Sequence, residues 1–596
     1  DCNCAPLPQS RNGDAWVWSR LSQPGETSGS YPFTLSNVQT GQTAQITIWL
    51  LGYTEVSANP DHKVAAAING KSVGTIQWDG KKAIESTLTI PANTLINGDN
   101  TLSLTLPGIT GVSVEGAWLD AFSIRSLQGS ALISGMASFS ARTSGTFAYQ
   151  IHLSSTSGLR VLDVTQPDSP VLLTNIVPSG NTVSFGDPVT AVPSRYILAP
   201  SSAFQTPAAI RFPKSLKTSA IKGANYVIIA PEAFVPALSS LIQLRQSQGL
   251  TVVQENLQAI YDAYGQGLPV PEAIRDYLKN TYTKWSPAPS YVLLVGDGTI
   301  DPKRYQSSSF VTYLPPFLAD VDPFTGEIAA DNRFVTLDGS DDNLPDMMIG
   351  RLPVNSLQET TDVVTKLIQY EAIPDNGWMS RAFFVSDRQD ISGNFSASLA
   401  RLAKNISIPP MQLDRLFLGV SPLTADEMKS AIITDWNRGA SLVIYDGHSS
   451  VHQWSADELF HISKIPLLNN GYQLPFVMQL TCFTGSFQLA GLSSMDELLL
   501  RYPQGGAVAV WGSTGLGISS GHESLGRGFL QSLSVDGNRI SGKAITGGIL
   551  NLVATSPGNL YLIDNYILFG DPATHLRIDA GPYSNISLPY ILGGAQ

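Results

Sequence analysis

The stretch SLVIYDGHSS, residues 441–450, decides the fold prediction. Its apolar residues run without a polar break from Leu442 to Tyr445, and Gly447 and His448 follow shortly afterwards. A short continuous apolar run that ends in a turn is typical of a strand buried on both faces of a parallel sheet. The stretch YVLLVGDG, residues 291–298, has the same shape. Both stretches therefore predict central strands whose carboxyl ends carry the polar residues.

Strands and helices alternate between residues 221 and 580. Apolar runs such as YVIIA (226–230) and AFFVS (382–386) are separated by helical patterns such as SLQETTDVVTKLIQYE (356–371). This alternation predicts mostly parallel sheets flanked by helices. The pattern restarts after IPDNG (373–377). We therefore predict two side-by-side α/β subdomains, residues 221–375 and 376–580, followed by a C-terminal tail at 581–596.

The N-terminal part of the chain has a different pattern of apolar and turn-forming residues. Residues 1–128 contain short alternating runs such as STLTIPANTLINGDNTLSLTLPG (86–108), with Asn-Gly and Gly-Asp turns. Short strands at this spacing predict an all-β region, a β-sandwich. Residues 129–220 continue with similar runs and Pro and Ser-Gly turns, so we predict a second β region or linker there. The whole chain is predicted to be multidomain.

The composition excludes several classes of protein. Charged residues make up only 14% of the 596 residues and the net charge is −12, which argues against disorder and against a nucleic-acid partner. No apolar run approaches 18 residues, so no transmembrane segment is predicted. Asp1 opens the chain without a signal-like segment, which favours a processed mature form. Few lysines and many small polar residues favour a secreted protein.

A histidine and a cysteine are predicted to meet at one edge of the sheet. His448 follows one buried strand and Cys482 follows the next, PFVMQLT (475–481). Only one crossover separates them, so the strands should be neighbours whose carboxyl ends lie side by side. A thiol needs a basic or imidazolium partner to react at neutral pH. The alternatives are a buried structural cysteine and a histidine that caps the strand end. The roles of Cys2 and Cys4 stay open.

Ser449 offers a different nucleophile. GHSS is similar to the nucleophile elbow of serine hydrolases, which needs a glycine two residues after the serine. Val451 occupies that position here. His522 and His575 lie downstream as partners for such a serine. A serine hydrolase that uses Ser449 is therefore kept as an alternative.

A series of motifs follows one another along the second half of the chain. They are YVLLVGDG (291–298), LPDMMIGRLPV (344–354), FVSDRQD (384–390), YDGHSS (445–450), LTCFTGSF (480–487), GAVAVWGSTGLG (506–517) and NYILFGDPATHLRI (565–578). This ordered series resembles the gingipain-type cysteine peptidases, which are relatives of caspases and legumains. In that family a strand that bears histidine precedes a strand that bears cysteine. The likeness covers much of residues 221–580, and residues 62–80 also resemble the β region that precedes some of the family's catalytic domains.

The resemblance implies a caspase-like α/β domain and a thiol mechanism. Cys482 would attack a peptide carbonyl to form a thioester acyl-enzyme, with His448 as general acid and base. The backbone N–H groups of Cys482 and Ser449 would hold the oxyanion. Family members commonly have glycine after the histidine, so Ser449 would be strained if that position requires a positive φ. Asp387, with Asp390 in reserve, would orient His448; both carboxylates are alternatively helix caps.

The resemblance also places a substrate pocket after the next strand. Trp511, Ser513 and Thr514 would line its wall, and Glu523 would select a Lys or Arg side chain before the scissile bond by charge pairing. The alternative for Glu523 is a surface carboxylate in the first turn of a helix, where the macrodipole favours it.

The acidic segment 320–346 predicts a structural calcium site. Carboxylates and carbonyls at loop spacing suit Ca²⁺, although the complete EF-hand pattern is missing. The alternative is a solvated acidic loop. No organic cofactor is predicted. The expected ligands are Asp338, Asp341 and Asp342, with Asp320 and Asp322 as a second set.

Together these features predict a secreted cysteine endopeptidase that acts on protein or peptide substrates. The N-terminal β region is predicted to contact a cell surface or a carbohydrate. One alternative from another class is a binding or assembly module that keeps the peptidase fold without turnover. The serine hydrolase is the other.

Overall fold

The computed structural model describes residues 10–11, 16–127, 136–141, 143–153, 156–190, 192–206, 211–217, 222–306, 310–339, 342–374, 376–404 and 411–578. Cys2, Cys4, Asp341 and the predicted tail at 581–596 lie outside these residues. The chain divides into two compact units, one within residues 6–211 and the other within residues 212–596. In the described part of the chain, no helix has both the length and the apolar character needed to cross a membrane.

The first unit begins with two four-stranded antiparallel sheets that share one apolar core. In strand Ala44–Gly52 the buried Ile46, Ile48 and Leu50 alternate with more exposed residues, as expected when one face of a sheet is covered. The sheet orders are β1-β8-β3-β6 and β2-β7-β4-β5. The strands are β1 (Ser19–Gln23), β2 (Ser28–Leu35), β3 (Ala44–Gly52), β4 (His62–Ile68), β5 (Lys71–Trp78), β6 (Ala83–Ile90), β7 (Gly98–Thr105) and β8 (Glu115–Arg125).

Two smaller antiparallel sheets follow in the same unit, in the orders β10-β14-β13 and β12-β11-β15-β9. They enclose a separate small core that includes Val161, Phe185 and Tyr196. The prediction that this N-terminal part is all-β is therefore confirmed. The strands are β9 (Ala137–Ala141), β10 (Gly145–His152), β11 (Leu159–Asp163), β12 (Val171–Leu173), β13 (Ile176–Ser179), β14 (Thr182–Val189) and β15 (Ser194–Pro200).

The second unit is built on one ten-stranded sheet in the order β17-β16-β18-β21-β29-β28-β27-β24-β22-β23. Its strand pairs are parallel except for β28 with β29. The strands of this unit are β16 (Tyr226–Ala230), β17 (Val252–Asn256), β18 (Tyr291–Val295), β19 (Leu318–Asp322), β20 (Gly326–Ala329), β21 (Met348–Leu352), β22 (Arg381–Ser386), β23 (Gln412–Phe417), β24 (Leu442–Asp446), β25 (Gln453–Trp454), β26 (Phe460–His461), β27 (Phe476–Leu480), β28 (Ala509–Ser513) and β29 (Tyr566–Phe569).

Helices cover the sheet. Several begin at side-chain caps that the sequence supplies: Thr424 with Glu427, and Ser494 with Glu497, form capping boxes. The helices are α1 (Ser239–Ser247), α2 (Leu257–Tyr264), α3 (Pro271–Lys284), α4 (Leu357–Ala372), α5 (Phe395–Ala403), α6 (Ala425–Asn437), α7 (Met495–Arg501), α8 (Ser519–Ser534), α9 (Ser541–Thr555) and α10 (Leu562–Asn565).

The two predicted α/β stretches lie side by side as halves of this single sheet. Strands β16, β17, β18 and β21 come from the first stretch, and the other six strands of the sheet come from the second. The halves meet where β21 pairs with β29, at Arg351 and Phe569. The prediction of a mostly parallel α/β sheet flanked by helices is confirmed. The carboxyl ends of β22, β24 and β27 form the edge on which the candidate site stands.

Candidate active site

His448 and Cys482 lie at the carboxyl ends of neighbouring strands. Strand β24 pairs with β27 in parallel, with Asp446 opposite Leu480. Every residue of both strands is buried, which explains why their sequences are predominantly apolar, with Asp446 and Gln479 as the polar exceptions. Each functional residue follows two positions after its strand ends. The neighbouring arrangement that the spacing predicts is therefore present.

The loop that carries His448 is held by hydrogen bonds to its backbone. The carbonyl oxygen of His448 accepts hydrogen bonds from the buried Tyr445 hydroxyl at 2.5 Å and from the Ser455 N–H at 2.7 Å. Gly447 is required because a Cβ at this position would lie 2.4 Å from the Cβ of Asp387. The imidazole itself is half exposed and makes an edge contact with the ring of Phe395, with 5.3 Å between ring centroids. The backbone is thus fixed while the ring faces solvent.

Asp390, rather than Asp387, contacts the imidazole. The Nε2 atom of His448 lies 2.8 Å from Oδ2 of Asp390. Partial desolvation raises the pKa of Asp390, but hydrogen bonds from His448 and from the Ser392 N–H outweigh it and bring this pKa below its usual value. The carboxylate is therefore ionised at neutral pH and available to orient the ring.

Asp387 is buried and supports the backbone of the loop. Its carboxylate accepts hydrogen bonds from the Ser455 hydroxyl at 2.8 Å, the Arg388 N–H at 2.7 Å and the His448 N–H at 3.4 Å. No hydrogen bond among the described residues joins Asp387 to the His448 ring. The sequence analysis named both carboxylates, with Asp387 first and Asp390 in reserve. The geometry reverses this order, because Asp390 is the one that contacts the imidazole.

The Cys482 thiol lies against the backbone of Gly517. The Gly517 N–H donates to Sγ at 3.4 Å, and Sγ lies 3.7 Å from the Gly517 carbonyl oxygen. Burial raises the pKa of Cys482 to about 11; the Gly517 hydrogen bond opposes this rise and the Asp322 charge adds to it. Among the described residues, no hydrogen bond joins Sγ to the His448 ring. In this conformation the thiol is therefore neutral at pH 7. Gly517 was not predicted, because a backbone donor leaves no residue-type signature.

The residue after Cys482 has a strained backbone. Phe483 has a φ of 59°, and its neighbours close a tight turn in which the Thr484 N–H donates to the Cys482 carbonyl oxygen at 2.8 Å. A positive φ at a bulky residue costs about 1–3 kcal/mol and persists only when the surroundings enforce it. Here the Phe483 N–H donates to Gly515 at 3.0 Å and the Gly485 N–H to Ser513 at 2.9 Å. The turn fixes the direction of Cys482.

The two expected oxyanion donors differ in their surroundings. The Cys482 N–H donates to the Ser449 hydroxyl at 3.2 Å. The Ser449 N–H has no acceptor in the part of the chain that the structure describes. Ser449 does not belong to the residues with positive φ, so the strain expected for a serine at this position does not arise.

Comparisons with known proteins identify the family of the second unit. The sequence model of peptidase family C25 matches residues 219–577. The chain belongs to peptidase family C25. Gingipain R2 of Porphyromonas gingivalis is 21% identical over 375 residues, which cover 60% of this chain and 46% of that protein. Lys-gingipain W83 of the same organism is 25% identical over 223 residues, which cover 36% of this chain and 12% of that protein.

The likeness to one solved structure extends beyond the residues that match the peptidase family. The crystal structure of dimeric latent PorU from Porphyromonas gingivalis has a TM-score of 0.54 and 15% identity, and the match covers 96% of this chain and 54% of that chain. At this identity the likeness shows the fold alone. This chain spans about half the length of gingipain R2.

Three of the predicted pocket residues of this C25 chain lie in the core. Trp511 and Ser513 belong to β28 inside the sheet, and Thr514 follows it; all three side chains are at most 1% exposed. The Thr514 hydroxyl donates to the Ala329 carbonyl oxygen at 2.7 Å. In this conformation these side chains present no wall to a substrate. The alternation of polar and apolar residues could not reveal that these side chains are buried, because both faces of β28 are covered.

Glu523 lies in the first turns of α8 and is bound by two arginines. Its carboxylate accepts hydrogen bonds from Arg401 at 2.8 and 2.6 Å and from Arg527 at 2.8 Å. The hydrogen bonds from Arg401 hold the pKa of Glu523 below its usual value against partial desolvation, with Arg527 contributing in the same direction. Glu523 therefore already has cationic partners within the chain.

Three carboxylates of the acidic segment form a candidate cation site. Ligand oxygens of Asp338, Asp342 and Asp346 lie within 4.8 Å of one another. Desolvation raises the pKa of Asp346, the Leu337 N–H opposes the rise, and the charges of Asp338 and Asp342 add to it. A bound cation would relieve this repulsion. Two of the predicted ligands take part, and Asp346 was not predicted.

The second predicted set of calcium ligands is arranged differently. Asp320 is exposed in β19 and does not join the cluster. Asp322 is buried, and donors of the protein itself surround its carboxylate. These donors are the N–H groups of Phe324, Thr325 and Leu516 and the side-chain amide of Asn565. Asp322 therefore anchors the loop that carries Gly517, and calcium binding by Asp322 would require the loss of these bonds.

Proposed function

We propose that the chain is a cysteine endopeptidase that hydrolyses peptide bonds through Cys482 and His448. The observation that carries this proposal is the placement of the two residues at the carboxyl ends of adjacent parallel strands. Membership of family C25 supports the reaction class. Protein or peptide chains are the proposed substrates.

The reaction follows from the contacts of the two side chains. Because Nε2 of His448 is bonded to Asp390, Nδ1 is the nitrogen left to take the thiol proton. The sulfur then bonds to the carbonyl carbon and the π electron pair moves to the oxygen. That pair re-forms the carbonyl as the C–N bond breaks, and the imidazolium gives its proton to the leaving amine. Water hydrolyses the resulting thioester. Substrate binding has to bring the imidazole and the thiol together, because they share no hydrogen bond here.

Two measurements test this function. A peptide library that varies the residue before the scissile bond should be cleaved, with products identified by mass spectrometry. A peptidyl acyloxymethyl ketone built from the best sequence should label Cys482 and block cleavage. Cleavage without labelling at Cys482 would contradict the proposed nucleophile.

Alkylation of the ligand-free protein by iodoacetamide is expected to be slow at pH 7 and to accelerate about tenfold per pH unit up to pH 9. Only the thiolate reacts, and with a pKa of about 11 for Cys482 the thiolate fraction at pH 7 is on the order of 10⁻⁴. Quenched time points and peptide mapping give the rate at this residue. A rate that is already independent of pH between 7 and 9 would contradict a neutral thiol.

A preference for Lys or Arg before the scissile bond is a separate part of the proposal. Lys-gingipain W83, a relative, carries such a residue in its name. In this chain Glu523 is occupied by Arg401 and Arg527, so a substrate cation would have to displace a guanidinium group. We therefore propose the peptidase activity without assigning the preference to Glu523. The same peptide library measures the preference.

We also propose a structural calcium ion at Asp338, Asp342 and Asp346. Calcium is expected to raise the melting temperature of the second unit by a few degrees, since a ligand at one hundred times its Kd adds about 2.7 kcal/mol. Differential scanning calorimetry in calcium and in EDTA measures this shift. The shift should disappear in Asp346→Asn and persist in Asp320→Asn. An equal calcium-induced shift in the wild type, Asp346→Asn and Asp320→Asn would mean that calcium binds at another site.

An extracellular location and a contact of the N-terminal β region with a cell surface or a carbohydrate remain proposals. The composition supports the location. Trp49 and Trp118 are partly exposed on the sheet β1-β8-β3-β6, and partly exposed aromatic side chains suit contacts with partners.

A further inference from the structure

The hydroxyl of Ser449 occupies one of the two donors expected to bind the oxyanion. The Cys482 N–H donates to Ser449 Oγ at 3.2 Å. The same oxygen lies 2.6 Å from Oγ1 of Thr481 and donates to the carbonyl oxygen of Cys482. Thr481 in turn donates to the Gly447 carbonyl oxygen at 2.5 Å. The Ser449 side chain thus bridges the histidine loop and the cysteine loop through the donor that catalysis needs.

The other donor is open. Ser449 faces Trp454 in a short antiparallel bridge whose hydrogen bonds are made by the flanking residues. The Ser455 N–H donates to His448 at 2.7 Å, and the Ser450 N–H donates to Gln453 at 2.9 Å. The Ser449 N–H points away from these bonds and meets no acceptor among the described residues. One oxyanion donor is therefore ready and the other is covered.

We propose that the Ser449 hydroxyl gates the oxyanion site and limits acylation. This inference rests on the proposed peptidase function. When the sulfur bonds to the substrate carbonyl carbon, the oxygen gains the π electron pair and needs both N–H donors. An oxygen that approaches the Cys482 N–H has to displace Ser449 Oγ. The cost of breaking the hydroxyl's own bonds is added to the barrier of this step.

The gate is the side chain rather than the loop. The loop backbone is fixed by the hydrogen bond from Tyr445 to His448 and by the close approach of Gly447 to Asp387. Rotation of Ser449 about χ1 moves Oγ away without moving the backbone. Removal of the hydroxyl should therefore uncover the Cys482 N–H and leave the Ser449 N–H in place. Ser449 is a positioning residue in this proposal, because its side chain acts on the donor of Cys482.

Ser449→Ala and Ser449→Thr test the gate in the full chain. The alanine variant should raise kcat on the best library peptide about tenfold and leave KM within about twofold. The reason is that the hydrogen bond between the Cys482 N–H and Ser449 Oγ no longer has to be broken. It should also tighten inhibition by the matching peptide aldehyde about tenfold, because the thiohemiacetal oxygen uses the same donors. The threonine variant keeps a hydroxyl, so neither gain is expected. Iodoacetamide alkylation forms no oxyanion and serves as the control that the Cys482 thiol is unchanged.

The outcomes separate this inference from the function on which it rests. An active wild-type protein whose kcat is unchanged or lowered by Ser449→Ala overturns the gate alone. A loss in the alanine variant that threonine restores would make the hydroxyl a third oxyanion donor, which also overturns it. A wild-type protein that is alkylated at Cys482, cleaves no peptide and binds no aldehyde overturns both proposals.

Discussion

Alanine in place of Cys482 is expected to abolish peptide hydrolysis, with kcat lowered on the order of 10⁴-fold or more. The proposed reaction forms a bond between Sγ and the substrate carbon, and no other group in the site can form it. Among the described residues the hydrogen bonds of the thiol are the two long ones to Gly517, so its replacement by alanine should leave the fold intact. Steady-state rates on the best library peptide, with circular dichroism as the check on folding, measure this effect.

The same experiment discriminates between the classes of function. Ser449→Ala is the companion variant: the proposed gate predicts that it keeps or exceeds wild-type activity, because Ser449 Oγ is hydrogen-bonded to the Cys482 backbone and not to an imidazole. Loss of activity in Ser449→Ala with retention in Cys482→Ala would assign the reaction to a serine hydrolase. A wild-type protein that cleaves no library peptide and is not labelled by the acyloxymethyl ketone would favour a binding or assembly module on the peptidase fold.

The sequence predicted the parts of the site that depend on regular structure. Strands β24 and β27 are predominantly apolar because helices cover both faces of the sheet, and one crossover places them side by side. These two facts bring His448 and Cys482 to one edge.

The sequence could not predict the parts that depend on irregular backbone. Asp387 stands directly at the end of β22, where the family resemblance placed the orienting carboxylate, but the loop turns and brings Asp390 onto the imidazole instead. Phe483 adopts a positive φ that no property of phenylalanine indicates. The position of Ser449 Oγ depends on two loops that meet only in the folded chain. Long-range hydrogen bonds decide such features, and they leave no periodic pattern.

Asparagine in place of Asp390 is expected to lower kcat on the order of 100-fold while the free energy of unfolding stays within about 0.5 kcal/mol of the wild-type value. The carboxylate accepts from Nε2 of His448 at 2.8 Å, which leaves Nδ1 unprotonated and stabilises the imidazolium that forms. An asparagine keeps the shape but loses the charge, and its amide can donate to Nε2 and so favour the wrong tautomer. Asp390 and His448 are about half exposed, so little stability depends on the pair.

Asp387→Asn is the matched control, with the opposite expected pattern. The buried Asp387 carboxylate accepts bonds from Ser455, Arg388 and His448, and an amide group turned towards these donors leaves at least one of them unsatisfied. The expected cost is about 1–3 kcal/mol in the free energy of unfolding. The fall in kcat of the folded variant should be smaller than that of Asp390→Asn. Chemical denaturation and steady-state kinetics on both variants make the comparison. A large loss of kcat in Asp387→Asn at unchanged stability, with Asp390→Asn fully active, would return the orienting role to Asp387.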